Sequence, residues 1–412
     1  MRILLIHNYY QEPGGESGVF ENLLRLLQRV DQEVEVYSRH NSEIPFLSYK
    51  DKMLMIMRAF FSLQTWHEVK TLVRSKRPAV AIVQNVFPLI SPSVYYALRS
   101  EGVPIVQLVY NYRLVCPDAQ LFSLGEVCER CVLGNHWHAV ARKCYRDSRL
   151  LSAWYAAILK LHRVARTFAR HNDLFIIPDK FLGTRLVRGG IPAHKIKKNV
   201  NPFFVEDYQP CYEPGEFILY VGRLVRQKGV FTLIRAMSHS SPDGPPLYIV
   251  GDGESRRELE TLVSELKLEN RVKLLGPRWG KDVHSLIRSS RFVVIPSEWY
   301  DNLPLILCQA YAMAKPVIAS AINGIPEYVE KGVDGLLFEP GNAEQLAQCI
   351  DRLSADASML GTMALNARRK AEEVFDYQAY WRILKPLLEE LIPARPESQA
   401  QRSNASEVKV AF

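Results

Sequence analysis

What this chain lacks narrows it before any motif is read. No apolar run reaches the roughly 18 residues of a membrane-spanning helix, so no transmembrane helix is expected. Met1-Arg-Ile-Leu-Leu-Ile-His7 is too short and too quickly polar for a secretory leader and reads as a first strand, which predicts a cytoplasmic protein. Cysteine is sparse, seven in 412 residues, and in that compartment disulfides are disfavoured. No internal repeat is evident, low complexity is confined to the polar stretch 393–412, and no recognisable nucleic-acid module occurs. A full G-x-G-x-x-G is missing as well; only the pair Gly14-Gly15 follows the first strand, where backbone can approach a ligand closely or simply turn.

What is present is an ordinary globular composition, 48% hydrophobic and 23% charged, in a chain too long for one core, so two domains are expected. The charge is lopsided. Residues 1–200 hold 28 Lys+Arg against 16 Asp+Glu, a net +12, whereas 201–412 hold 24 against 28, a net −4. A basic first half favours an anionic partner. Without a nucleic-acid module, an anionic membrane surface or a phosphate-linked lipid is the better match.

Apolar, β-branched runs at 2–7, 33–38, 79–84, 104–109, 173–178 and 195–200 predict parallel strands, with helices over 17–29 and 93–100. The stretch Lys50–Arg77 predicts one long helix. Its Met53–Met57, Phe60, Phe61 and Trp66 lie among seven Lys and Arg, which fits either a membrane-interface helix or a packed helix with a solvated basic face. Ser148–Arg170 is helical too, with Lys160, Arg163, Arg166 and Arg170 along a basic face; it reads as a core helix, with membrane contact as the alternative. Cys116, Cys128, Cys131 and Cys144 are spaced C-x11-C-x2-C-x12-C, which predicts a structural zinc site; the rival is two loose thiol pairs with His136 or His138 as substitute ligands. Pro and Gly punctuate 201–215, an expected hinge.

The most informative stretch is Ile295–Gly324. It reads as strand end, polar loop, buried helix from Leu303 and next strand. That order places a loop at a strand's carboxyl end and a helix's amino end, where backbone N–H groups and the helix dipole suit a phosphate. Asp301 at the loop's mouth and Gln309 two turns into the helix could read sugar or ribose hydroxyls; alone, they could equally be a solvated Asp and a helix Gln.

Asp301-Asn-Leu-Pro-Leu-Ile-Leu-Cys-Gln309 resembles the E-G-x-P-L-x-x-x-E signature of the family-4 glycosyltransferases, retaining enzymes of the GT-B fold. Both acid positions differ, and the usual Gly is Asn302, a residue tolerant of left-handed backbone. Ala314 stands where a Gly is expected near the helix end. Val221-Gly-Arg-Leu-Val-Arg-Gln-Lys-Gly229 is similar to the family's V-G-R-L-x-x-E-K-G, and Val250-Gly-Asp-Gly253 to its V-G-D-G. Tyr110-Asn-Tyr-Arg-Leu-Val-Cys-Pro117 resembles the H-N-Y-R-L-x-C-P of a subgroup with a cysteine-bearing insertion, with Tyr110 in place of a His that faces the transferred sugar.

The resemblance implies an α/β protein with two doubly wound Rossmann-like domains facing a cleft. The implied acceptor domain is 1–205 with insertion 116–144, and the nucleotide-sugar domain is 206–375. A helix at 376–392 would cross back over the first domain, and 393–412 would be a disordered tail. The implied activity is metal-independent, retaining transfer from a nucleotide-sugar to a glycan or lipid-linked acceptor in cell-envelope polysaccharide or glycolipid synthesis. The protein would be peripheral on the inner face of the cytoplasmic membrane, with no nucleic-acid partner. Arg223 and Lys228 would offset charge on the departing diphosphate, Asp301 would orient the donor sugar, and Tyr110 would face it. Gly15, Gly222, Gly253, Asn302, Leu303, Leu305 and Gln309 complete the implied donor site, Gln309 at the ribose. The changes at Tyr110, Asp301 and Gln309 also fit a non-catalytic relative that binds nucleotide-sugar or a partner enzyme.

Overall fold

The chain folds around two six-stranded, all-parallel sheets, in a computed structural model that describes residues 1–11 and 14–392. The expectation for 393–412 lies outside those residues. The first sheet contains β1 (Arg2–Tyr9), β2 (Glu33–His40), β3 (Val80–Val83), β4 (Ile105–Leu108), β7 (Leu174–Ile177) and β8 (Ile196–Lys198), in the order β2-β1-β3-β4-β7-β8. The hairpin β5 (Phe122–Ser123) and β6 (Glu126–Val127) stands apart, inside the cysteine-bearing insertion. The second sheet contains β9 (Ile218–Val221), β10 (Leu247–Val250), β11 (Val272–Gly276), β12 (Phe292–Ile295), β13 (Val317–Ser320) and β14 (Gly335–Phe338), in the order β11-β10-β9-β12-β13-β14.

Strands that read as unbroken apolar runs are buried on both faces because helices cover both; Ile3 to Asn8 of β1 are all buried. Each sheet reverses its winding once. In the first the reversal lies between β1 and β3, in the second between β9 and β12. Connections leave such a pair in opposite directions, so a crevice opens at the carboxyl ends of those strands. The loops after β1, β9 and β12 therefore meet where a ligand can enter.

The helix Tyr377–Leu391 leaves the second sheet and packs Tyr380, Leu384 and Leu388 against Ile3 and Leu5 of the first and Leu23 of the helix Gly15–Arg29. Each fully buried side chain of this kind contributes about 1.5–3 kcal/mol. Arg25–Asp207 and Arg29–Glu206 ion pairs tie the first long helix to the connecting segment.

Two local expectations are corrected. Lys50–Arg77 is two helices, Tyr49–Arg58 and Leu63–Lys76, because the Ser62 hydroxyl caps the second by accepting from the Thr65 N–H at 3.1 Å. Ser148–Arg170 breaks at Arg166, whose φ of +53° ends Arg149–Val164 before the short helix Thr167–His171. Among non-glycine residues of the left-handed region Asn302 is missing, while Ala314 is present with φ +57°. The methyl-bearing residue, not the tolerant Asn, carries that strain.

Candidate functional site

The two crevices face each other across one cavity of about 510 Å³. Its second-domain wall is built by the turn after β9 and the loop after β12. Gly222 can occupy that turn because Gly251, at φ +143°, sits against it; a Cβ on Gly251 would lie 1.9 Å from the Gly222 carbonyl oxygen. Arg223 is exposed to the cavity, and among the described residues its guanidinium is in no ion pair. Gly229, at φ +70°, abuts the Pro296 carbonyl, and this contact locks the Lys228 turn onto the loop after β12. Lys228 forms an ion pair with Asp301, both side chains mostly buried, at 20% and 15% exposure. The Ser297 hydroxyl also donates to Asp301, at 3.2 Å, and the Lys228 ammonium sits 5.3 Å from the Trp299 ring centre. Below them the helix Leu305–Ala312 begins at Pro304, whose missing N–H costs nothing there. Leu303, Pro304 and Leu305 line the cavity, so the helix's amino end faces it.

Asn302 joins the walls. Its Nδ2 donates to the Tyr110 carbonyl at 2.7 Å, and its Oδ1 accepts from the Tyr112 hydroxyl at 3.0 Å. Asn323 holds the same loop from within the second domain, donating to the Asp301 carbonyl at 2.7 Å.

The first-domain wall carries a cluster that the sequence motifs contain without marking. Glu16, half-buried at the start of the helix Gly15–Arg29, accepts on one oxygen, Oε2, from the Tyr10 hydroxyl at 2.6 Å and from Asn111 Nδ2 at 2.8 Å. Arg113 donates to the Tyr10 and Tyr155 hydroxyls, each at 3.3 Å, rather than to a carboxylate. Burial raises the Glu16 carboxyl above its ordinary range, opposed by the Tyr10 hydrogen bond and the Arg113 charge. Glu16 follows Gly14-Gly15 directly, and Asn111 and Arg113 lie inside Tyr110–Pro117; these were the only signals available.

Of the residues singled out from sequence, Gly15, Tyr110, Gly222, Arg223, Lys228, Asp301, Asn302, Leu303 and Leu305 all line the cavity. Tyr110 turns its hydroxyl inward; among the described residues it is buried without a hydrogen-bond partner, and burial beside Tyr380 pushes its pKa well up. Gly253 and Gln309 lie off the cavity's lining. Gly253 packs on the Leu224 backbone, where a Cβ would lie 2.4 Å from the Leu224 carbonyl oxygen. Gln309 is one turn beyond Leu305 on the same helix side, and its amide donates a long 3.5 Å hydrogen bond to the Tyr208 hydroxyl.

Cys116, Cys128, Cys131 and Cys144 all line one cavity of about 10 Å³, together with Ser123 and His138 but not His136. All four are free thiols. Among the described residues no three Cys, His, Asp or Glu are grouped closely enough to hold a metal ion as they stand. The thiols converge on the space without closing on it.

Comparison with known proteins places this architecture. Residues 207–370 match the family model described as glycosyl transferases group 1. An uncharacterised glycosyltransferase of Methanocaldococcus jannaschii is 30% identical over 375 residues, 89% of this chain and 92% of that protein. An Escherichia coli enzyme named UDP-Gal:alpha-D-GlcNAc-diphosphoundecaprenol alpha-1,3-galactosyltransferase is 26% identical over 86% of this chain and 91% of its own length. Three other curated glycosyltransferases, from Erwinia amylovora, Streptomyces kanamyceticus and M. jannaschii, match partially, and the chain spans 60%, 39% and 42% of their lengths. Among solved structures, Anabaena HepE in complex with UDP superposes with a TM-score of 0.68 at 20% identity, covering 95% of this chain and all of that one. Two Rossmann-like domains in GT-B arrangement are therefore the fold.

Proposed function

Because the chain belongs to the glycosyl transferases group 1 family, we propose that it moves a sugar, with retention, from a nucleotide-sugar to a glycan or lipid-linked acceptor in cell-envelope polysaccharide or glycolipid synthesis. It would work as a peripheral protein on the inner face of the cytoplasmic membrane. The observation that carries this reading is the second-domain wall: an exposed Arg223, the Lys228–Asp301 pair and a helix amino end meet on one cavity at the point where the sheet reverses. These are the parts needed to hold a diphosphate and compensate its charge as it leaves, without a catalytic metal.

The ion pair suggests the order of events. A bound diphosphate competes with Asp301 for Lys228. Asp301, released, can accept hydrogen bonds from the donor sugar's hydroxyls. The amides around Leu303–Leu305 take up phosphate charge. Gln309 holds the ribose from one turn deeper. The acceptor hydroxyl approaches the first-domain wall, where Glu16 stands. UDP in the HepE complex and UDP-Gal in the E. coli enzyme's name support a uridine diphosphate sugar as the first donor to try.

A structural zinc on the four cysteines belongs to the same reading. Their convergence on one cavity supports it, and the zinc would brace the insertion without touching the chemistry. Metal analysis of protein purified without added metal should give about one zinc per chain; none would remove this part and leave the transferase reading intact.

The test of the main reading is calorimetry against UDP-sugars, followed by transfer assays with prenyl-diphosphate-linked N-acetylglucosamine. Binding with turnover is expected. Binding without hydrolysis or transfer across a broad panel would make the protein a non-catalytic relative, and no binding of any nucleotide-sugar would defeat the donor site.

A further inference from the structure

One surface is unused by the proposed chemistry. The helix Tyr49–Arg58 runs Met53-Leu-Met-Ile-Met57 and buries no residue at all. Phe46 is 90% exposed, Tyr49 82% and Met57 68%. Five consecutive apolar residues on a helix that buries none of them are unusual for a surface that meets only water.

Its neighbour is the long helix Arg149–Val164. The Trp154 indole N–H donates to the Ile56 carbonyl at 3.0 Å, and His162 Nε2 lies 2.9 Å from the Phe60 carbonyl oxygen. That helix exposes Leu150 and Val164 and is rich in positive charge. Residues 137–170 hold eight Lys and Arg against a single acid, Asp147. Among the described residues none of the eight is in an ion pair, and Arg146, Arg149, Lys160, Arg166 and Arg170 are exposed. The adjacent helix Leu63–Lys76 is different. Its Lys70 and Arg74 pair with Glu101 and its Lys76 with Glu35, so its cations already have partners within the fold.

We propose that the face formed by residues 46–63 and the helix Arg149–Val164 docks on an anionic phospholipid bilayer. Residues 46–63 would enter the headgroup layer, and the cations of 142–170 would contact the lipid phosphates. The chemistry separates this occupant from its rivals. Unpaired cations alone would suit nucleic acid, and an apolar helix alone would suit a second copy of the chain. Methionines, Phe46 and Tyr49 beside unneutralised guanidinium groups fit a layer that offers both acyl chains and negative charge. The proposal rests on the membrane placement above and names the face responsible.

Flotation of the full chain without donor tests it. At about 0.1 M salt, the protein is expected to float with phosphatidylcholine vesicles containing roughly one-third phosphatidylglycerol, and not with phosphatidylcholine alone. Arg149→Glu combined with Lys160→Glu should lower binding about tenfold or more. Tyr49→Ser combined with Met57→Ser should abolish the binding that survives high salt. Arg257→Glu, at a site on the second domain that is exposed and, among the described residues, in no ion pair, should change nothing, which separates this face from net charge. Unchanged thermal midpoints confirm that the variants fold. Equal flotation on both vesicle types, or loss with Arg257→Glu equal to that of the paired variant, overturns the proposal. Stronger retention on DNA than on vesicles at equal salt gives the face to nucleic acid. A dimer that Tyr49→Ser/Met57→Ser turns monomeric gives it to a second copy. Failure of donor calorimetry would end the transferase reading and leave this result standing.

Discussion

The two walls of the cleft handle charge in opposite ways. On the second-domain wall the carboxylate Asp301 is neutralised by Lys228, and an unpaired cation, Arg223, faces the cavity. On and beside the first-domain wall, the carboxyls of Glu16, Asp118 and Asp179 are in no ion pair among the described residues. Glu16 is held by a phenol and an amide, and Asp118, next to Ala119 on the cavity's edge, has its carboxyl pushed by burial from 3.8 up to about 7. Asp179, capping the helix Lys180–Arg188, is raised by burial to about 6, and among the described residues one of its oxygens is buried without a partner. A wall of paired charge is stable whether or not ligand is present. A wall of desolvated acids is a standing cost, of the kind retained where a site must bind something.

The sharpest way to break this contrast is through pH. A carboxyl whose folded-state pKa is raised destabilises the fold whenever it must ionise. For Asp118 that cost is absent below about 4, grows between about 4 and about 7, and is complete above. A shift of this size corresponds to on the order of a few kcal/mol. Asp118→Asn should therefore gain stability over the parent at pH 8 and lose that advantage at pH 4. Denaturant unfolding at the two pH values measures it. A constant difference would mean that Asp118 ionises freely and that the first wall is not under strain.

The next effect belongs to the second wall. Arg223→Ala should weaken UDP-sugar binding about 100-fold, the upper range for a charged hydrogen bond left unmade on a diphosphate. Its melting temperature without ligand should not move, since the side chain is exposed and unpaired. A loss of binding below threefold by calorimetry would show that the diphosphate lies elsewhere.

Glu16→Gln sharpens the comparison from the other side. Gln keeps an acceptor oxygen for Tyr10 and Asn111 but removes the charge that would grip an acceptor hydroxyl. Transfer to prenyl-diphosphate-linked N-acetylglucosamine should slow about tenfold, one charged hydrogen bond's worth, with UDP-sugar affinity within about twofold. If donor affinity falls as far as transfer does, Glu16 serves the donor and the division of labour between the walls is wrong.

The same contrast explains what could be read from sequence. The second wall is assembled from two contiguous segments, Val221–Gly229 and Ser297–Leu305, each a turn after a strand, so a motif resemblance confined to short segments was enough to mark Arg223, Lys228 and Asp301, which spacing alone left as solvated loop residues. The alternation of buried strands and helices likewise made both sheets legible, and Tyr377–Leu391 emerged as a single helix. The first wall brings Tyr10 and Glu16 together with Asn111, Arg113 and Tyr155 across a stretch of chain that contains five strands. No periodicity records such a meeting. Tyr110 shows the limit of motif reading: its position lines the cavity, yet its hydroxyl turns toward Tyr380 on the returning helix, a contact 270 residues away in sequence. The break at Ser62 was also hidden, because apolar and basic residues continue across it and only the cap hydrogen bond ends the helix register.

The smallest expected effect tests how deep the donor site extends. Gln309 stands off the cavity lining, one turn past Leu305, with only a long hydrogen bond to Tyr208. A ribose lying over the Leu305 end of that helix would come within reach of its amide, which can accept one hydroxyl bond and donate another. A carboxylate at the same place accepts both, and more strongly. Gln309→Glu should thus tighten UDP-sugar binding by about 1 kcal/mol, roughly fivefold, while Gln309→Ala weakens it by a similar amount. The Tyr208 contact offers a control, since Tyr208→Phe removes the amide's present partner and should leave donor affinity unchanged. If Gln309→Ala and Tyr208→Phe lower affinity equally, the amide acts by bracing the hinge, and the ribose is held by something else. If neither Gln309 variant changes affinity, the donor site ends at Leu305, and the whole of it is the short second-domain wall already described.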